Sequence, residues 1–154
     1  MWGFYNMKKS VIFLIASIIS SISLSANTFT DHETGLIWQD NNEAKKIKRD
    51  WSGAIDYCKN LKLDGYRDWR LPAIDELLSI TDDTRYNPAI KKGIKNIVSG
   101  NYWSSSPPVS DSSYAWNVTF NDGSGYHDGK SGSDYVRCVR DSTNTSKFDS
   151  LIEY

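Results

Sequence analysis

Three observations predict an α+β domain with two helices packed on a twisted antiparallel sheet. Two stretches in the first half repeat apolar residues every three or four positions. The second half alternates apolar and polar residues between turn signals, and one cysteine stands in each half, Cys58 and Cys138. Helical periodicity followed by strand alternation is the pattern of helices layered on antiparallel strands. A chain of 154 residues, less the leader described next, supplies one hydrophobic core and not two.

The first segment stands apart from that domain. From Met7 the chain reads Met-Lys-Lys-Ser, then an apolar run over residues 11–19, then small residues ending at Ser25 and Ala26. Two lysines, a short apolar run and a small-residue exit are the parts of a secretory signal, and the run is short and serine-rich for a membrane span. Residues 1–26 are therefore expected to be a signal peptide, with Met7 as an alternative start and cleavage after Ser25 or Ala26. A retained anchor is the competing reading. A lipoprotein would need a cysteine near the cleavage point, and residues 20–30 hold none. The expected location is periplasmic, secreted or at the cell surface, with no membrane span after cleavage. Two cysteines in such an oxidising compartment predict a disulfide, and no C-x-x-C spacing suggests redox chemistry.

Charge narrows the partners. Formal net charge is −1 for the whole chain, and losing Lys8 and Lys9 with the signal makes it more acidic. A nucleic-acid binder would show a strong basic excess, so none is expected.

Within the expected domain, residues 27–141, the run Gly35-Leu36-Ile37-Trp38-Gln39 reads as an early strand entered by a turn. Residues 43–50 are charged and read as a solvated loop. Trp51, Ala54, Ile55, Cys58 and Leu61 form a helical stripe, with Asp50 as N-cap and Cys58 on the buried face. Pro72 is placed in the first turn of a second helix, whose stripe is Ile74, Leu77, Leu78 and Thr81, ending near Asp82 and Asp83. Tyr102-Trp103-Ser104-Ser105 is a short strand. Residues 114–120 alternate, with Trp116, Val118 and Phe120 on one face. Asn121-Asp122-Gly123 is a turn, and residues 135–140 make a final strand carrying Cys138. Residues 142–154 read as a flexible tail.

No motif in this chain carries catalysis. Only His32 and His127 are present, neither in a zinc-ligand spacing, and both are expected to face solvent in turns. No G-x-S-x-G elbow accompanies the serines at 104–106. The oxygen-rich segment from Asn121 through Asp122 to Asp128 suits a calcium loop, but lacks EF-hand spacing and serves equally as a plain hairpin turn, so no cofactor is expected. Periodicity sends Trp51 and Trp116 to the core, whereas Tyr102 and Trp103 are candidates for a ligand-facing aromatic shelf. Lys91, Lys92 and Lys95, joined by Lys45, Lys46, Lys48 and Arg49, are candidates for a positive patch that attracts an acidic polysaccharide. Arg67 and Arg70, set among aromatic and apolar residues, are expected in fixed ion pairs or carbonyl contacts.

Five motifs in order carry a family resemblance: Thr34-Gly35-Leu36-Ile37-Trp38, residues 51–58 from Trp51 to Cys58, residues 65–77 with Tyr66-Arg67-Asp68-Trp69-Arg70-Leu71-Pro72, Tyr102-Trp103-Ser104-Ser105, and Tyr135-Val136-Arg137-Cys138-Val139-Arg140. Over residues 28–141 the chain resembles the C-terminal domain of the Legionella collagen-like adhesin, also catalogued as domain of unknown function 1566. The resemblance implies a C-type lectin-like fold, similar to that of formylglycine-generating enzymes, with a disulfide from helix to last strand at Cys58 and Cys138. It also implies binding of sulfated glycosaminoglycans. The chain lacks the collagen-like repeat and the Glu-Pro-Asn sugar and calcium motif of C-type lectins. The expected function is a non-enzymatic, exported binding module for a sulfated or acidic glycan or surface polymer, contacting it through Tyr102, Trp103, Lys91, Lys92, Lys95, Asn121, Asp122 and Asp128. The alternative is a structural or protein-interaction domain of an envelope assembly, with an envelope protein as partner. An exported enzyme ranks last.

Overall fold

The computed structural model describes residues 26–108 and 110–142. The expected signal peptide, apart from Ala26, and the expected tail, apart from Ser142, fall outside them. The architecture is the α+β one that the sequence predicts, built on two sheets rather than one.

Strands β1 (Thr28–Asp31) and β2 (Leu36–Gln39) form a hairpin in which Thr28 faces Gln39 and Asp31 faces Leu36. Its turn is locked from within: Asp31 accepts hydrogen bonds from the Glu33 N–H and the Thr34 hydroxyl, and Gly35 takes the left-handed φ of 70° that closes the loop. Residues 43–50 are not a solvated loop. Asn41 caps a 3₁₀ turn, Asn42–Lys45, that buries Ala44 completely, and Lys48–Arg49 then forms β3. One small apolar residue among charges is enough to anchor a turn, yet too sparse to show a period.

Helix α1 (Trp51–Asn60) follows the predicted stripe, with the Asp50 carboxylate accepting the Gly53 N–H at 2.7 Å and Ala54 and Cys58 fully buried. Helix α2 (Ile74–Ser79) is shorter than its stripe suggests. Ala73 is its N-cap, so Pro72 precedes the helix, and Thr81 pairs with Ile90 in an isolated bridge instead of continuing it.

The larger sheet has the order β3-β7-β4-β5-β6, with β4 (Asn101–Trp103), β5 (Tyr114–Thr119), β6 (Gly125–Gly129) and β7 (Asp134–Tyr135). The smaller sheet is β1-β2-β8, with β8 at Val139–Asp141. β4 and β7 run parallel; the other pairs are antiparallel. The single last strand expected over 135–140 is thus two short ones. The chain leaves the large sheet after Tyr135, runs through Val136, Arg137 and Cys138, and enters the small sheet at Val139, so this segment joins the two sheets.

Both faces of the large sheet are covered. One carries a cluster with Tyr102, Val118, Phe120 and, from α2, Leu77; the other carries Trp103, Ala115 and, from α1, Ala54 and Cys58. The expected disulfide forms here: Cys58 and Cys138 are bonded, Cα atoms 5.4 Å apart, inside the second cluster. Among the described residues no helix is long and apolar enough to cross a membrane.

Candidate binding surface

The residues expected to form one ligand surface are dispersed, for identifiable reasons. Tyr102 and Trp103 are both 0% exposed. Because each face of the sheet is covered, consecutive strand residues point into opposite core clusters and neither reaches solvent. Their polar ends are used internally: the Tyr102 hydroxyl donates to the Ala44 carbonyl at 3.1 Å, and the Trp103 indole N–H donates to the Arg49 carbonyl at 2.9 Å. They form no ligand-facing shelf.

Lys91 is engaged with Glu33 at 2.6 Å and Asp31 at 3.2 Å. The hydrogen bond to Glu33 raises its ammonium above the ordinary value, against the opposing effect of burial. Burial alone would raise the Asp31 carboxyl, but its bonds from Thr34, Glu33 and Lys91 outweigh that and hold it low. Lys91 thus fastens the β1–β2 turn, while Lys92 and Lys95 are exposed. The Lys95 and Asn96 N–H groups both donate to the Asp40 carboxylate, which ties this segment to the start of the 3₁₀ turn bearing Lys45.

Asn121 and Asp122 belong to the β5–β6 turn. The Asp122 carboxylate accepts the Ser124 N–H, Gly123 supplies a φ of 83°, and the Asn121 carbonyl accepts the Asn87 N–H, where Asn87–Pro88 is a cis peptide. Asp128 is elsewhere, on β6, which replaces the expected long loop and carries His127 on a strand rather than in a turn. The buried Asn117 amide donates to Asp128 at 2.6 Å and Asp134 at 2.8 Å, with Asn101 at 3.4 Å from Asp128. Burial pushes the Asp134 carboxyl up, the Asn117 bond opposes, and the neighbouring Asp128 charge adds to the rise. This network is a polar seam between strands, in which the Asn117 Oδ1 has no partner among the described residues. Among those residues no group of three or more His, Cys, Asp or Glu could hold a metal ion.

Three of the four arginines in the motifs over residues 65–77 and 135–140 build the frame. Arg140, 2% exposed, makes paired hydrogen bonds to Asp68 at 2.8 and 3.0 Å and lies 3.7 Å over the Tyr66 ring. Arg70 pairs with Glu76 and Asp141, as its expected ion pairing required, whereas Arg67 is exposed. Arg137 is wholly buried, donating to the Gln39 and Asn96 carbonyls near Asp40; burial lowers its pKa. Arg70, Arg137 and Arg140 thus tie separate parts of the chain together.

Beside α1 lies an open groove, about 420 Å³, lined by Arg49, Gly53, Asp56, Tyr57, Asn60 and Lys62 among others. Gly53 lines it where the Arg49 side chain passes: a Cβ there would lie in ordinary contact, 3.4 Å from the Arg49 Cβ and 3.5 Å from its Cδ. Tyr57 is fixed between Gln39 and Glu43, and burial, with the Glu43 carboxylate adding to it, pushes its hydroxyl to about 12. It stays neutral near pH 7 and forms part of the groove wall. Arg49 and Lys62 are exposed and in no ion pair among the described residues. Of the groove residues, only Arg49 was expected from the sequence to meet a ligand; Asn60 sits on the polar side of the α1 stripe and Lys62 just past the helix's C-cap, positions that read as exposed without marking a site.

The β5–β6 hairpin presents a further set of rings. Tyr114 and Trp116 share a face of β5 with His127, which pairs opposite Trp116, and His127 lies edge-on to both at 5.6 and 5.5 Å. Trp116 is half-buried at this margin instead of central to the core, since its face of β5 runs from buried Val118 outward to exposed Tyr114.

No curated protein matches the chain. A family model does: that of the Lcl C-terminal domain matches residues 27–140. The chain belongs to this family.

Proposed function

From membership of the Lcl C-terminal domain family, we propose that this protein is a non-enzymatic binding module, acting outside the cytoplasm, that holds an anionic glycan or surface polymer along the α1 groove. The observation that carries the reading is the pairing of two exposed cations, Arg49 and Lys62, across an open groove in a molecule whose overall charge is slightly negative. The other basic side chains that enter ion pairs, Arg70, Lys91, Arg137 and Arg140, are spent on the fold. Of the nine cations left exposed among the described residues, five lie near the groove in sequence, Lys46, Lys48, Arg49, Lys59 and Lys62; the others are Arg67, Arg85, Lys92 and Lys95.

Exposed lysines and arginines attract sulfate and carboxylate groups over a range set by the ionic strength, and an Arg guanidinium adds a two-pronged hydrogen bond at contact. Asn60 supplies an uncharged donor between them. The groove is shallow, so single-site affinity is expected to be weak and strengthened by repeated engagement along a polymer. The buried disulfide suits an oxidising compartment.

Retention on immobilised heparin across a salt gradient tests the reading. The wild-type domain is expected to bind at low salt and elute as salt rises, and the Arg49→Ala/Lys62→Ala pair to elute markedly earlier with an unchanged melting temperature. A wild-type protein that passes through the column at low salt, or a double variant that elutes with it, overturns the groove assignment.

A further inference from the structure

We propose that the β5–β6 hairpin carries a stacking slot for a sugar ring, over Gly129 and against the Tyr114 ring. This deepens the glycan reading above and rests on it for the ligand class, while using none of the residues of the α1 groove.

On the face of the hairpin that bears Tyr114, Trp116 and Val118, the cross-strand partners on β6 are Gly129, His127 and Gly125 in turn. Opposite an aromatic or branched residue a strand ordinarily supplies a covering side chain. Here two of three positions supply none. At Gly125 the point where a Cβ would stand lies 3.9 Å from the Asn117 carbonyl oxygen and 4.0 Å from the Cδ1 of Ile74, the first residue of α2. At Gly129 nothing lies within 4 Å of that point. Tyr114 does not fold over its glycine partner; its ring turns toward His127, edge-on at 5.6 Å. Gly129 does not need its freedom for the backbone, since its φ is outside the left-handed region. The missing side chain therefore leaves space, and the space adjoins an aromatic ring that is 38% exposed.

Open space beside an exposed aromatic ring matches the apolar face of a pyranose. The backbone on either side is fixed, as stacking requires: the Lys130 N–H donates to the Ser113 carbonyl at 2.9 Å, and the Lys130 ammonium lies 4.0 Å over the Trp51 ring while donating to the Ser112 carbonyl. Lys130 also joins this end of the hairpin to the first residue of α1 through the Trp51 N–H.

The test uses the domain with its disulfide intact and three probes, cellohexaose, N-acetylchitohexaose and a heparin-derived hexasaccharide, at about 0.5 M salt to suppress long-range charge attraction. Ring signals of Tyr114, Trp116 and His127 are followed by NMR. At least one probe is expected to shift them saturably. Gly129→Val, which fills the slot without backbone strain, is expected to weaken that binding by about tenfold or more while leaving the melting temperature unchanged. Tyr114→Ala is expected to do the same and serves if the valine variant misfolds. Ring signals unmoved by all three probes, or a folded Gly129→Val protein that binds like wild type, overturn the slot. Neither result touches heparin retention at low salt, which reads the Arg49 and Lys62 groove, so the two readings fail separately.

Discussion

Glu76 does three things with one carboxylate. It takes two hydrogen bonds from Arg70, each at 2.7 Å, and reaches back to the Ala73 N–H at 2.8 Å, closing the first turn of α2. The Arg70 hydrogen bonds hold its pKa below the ordinary 4.5, outweighing burial, with the Ala73 N–H helping. A carboxyl whose folded value is depressed binds protons more readily in the unfolded chain, so its contribution is present above pH 4.5 and is lost as pH falls through the folded value. Arg70 is 41% exposed, so solvent screens the pair and its worth is modest. Glu76→Gln is expected to cost about 1 kcal/mol at neutral pH, allowing for the retained cap oxygen. Urea titrations at descending pH should show the two proteins converging below the ordinary carboxylate range. A gap that stays constant down to strong acid would mean that the ionised carboxylate is not what Arg70 and the helix recognise.

At the scale of elements, α1 was legible because its signals agree: an apolar stripe at helical spacing, an Asp before it, and a cysteine on the stripe. Gly53 is the discordant residue, and the structure resolves why it is there. Replacing glycine by alanine inside a helix ordinarily gains about 1 kcal/mol. Here the added Cβ would lie 2.7 Å from the Asp50 carboxylate oxygen that caps the helix, so the cap must move. Gly53→Ala is therefore expected to leave the melting temperature unchanged or lower it, whereas the same change in an Asp50→Ala background, where no cap remains to displace, should stabilise by about 1 kcal/mol. Additive effects in this double-mutant cycle would refute the coupling. The elements that sequence reasoning misread share a different cause. Tyr102-Trp103 gave no alternation because helices cover both faces of the sheet, and β6 gave no strand signal because glycines occupy the positions where apolar residues would have shown a period. The glycine that hid the strand is also the one that opens the slot.

At the scale of the whole molecule, the two sheets are held to each other by the stretch from Tyr135 to Val139, in which no residue between β7 and β8 belongs to a strand. Three side chains of this neighbourhood are pinned to distant parts of the chain: Arg137 to residues 39 and 96, Cys138 to Cys58, and Arg140 to Asp68. The cysteine pair was legible from residue count and compartment, but the buried arginines were not, because a charged side chain in a motif reads as surface until its partners are seen. The disulfide closes a loop across 80 positions, for which chain entropy predicts roughly 4.5 kcal/mol of stabilisation. The arginine pins survive reduction and continue to order the same stretch, so the folded state should persist without the bond. Reduction, or the Cys58→Ala/Cys138→Ala pair, is expected to lower the unfolding free energy by about 3–4.5 kcal/mol and to raise the urea m-value, since the unbridged denatured chain exposes more surface. Near-ultraviolet circular dichroism of the reduced protein in the absence of denaturant should retain the native tryptophan signal. Loss of that signal on reduction alone would show that the arginines cannot hold the sheets together, and that the covalent link is the sole organiser of the junction on which both proposed binding surfaces depend.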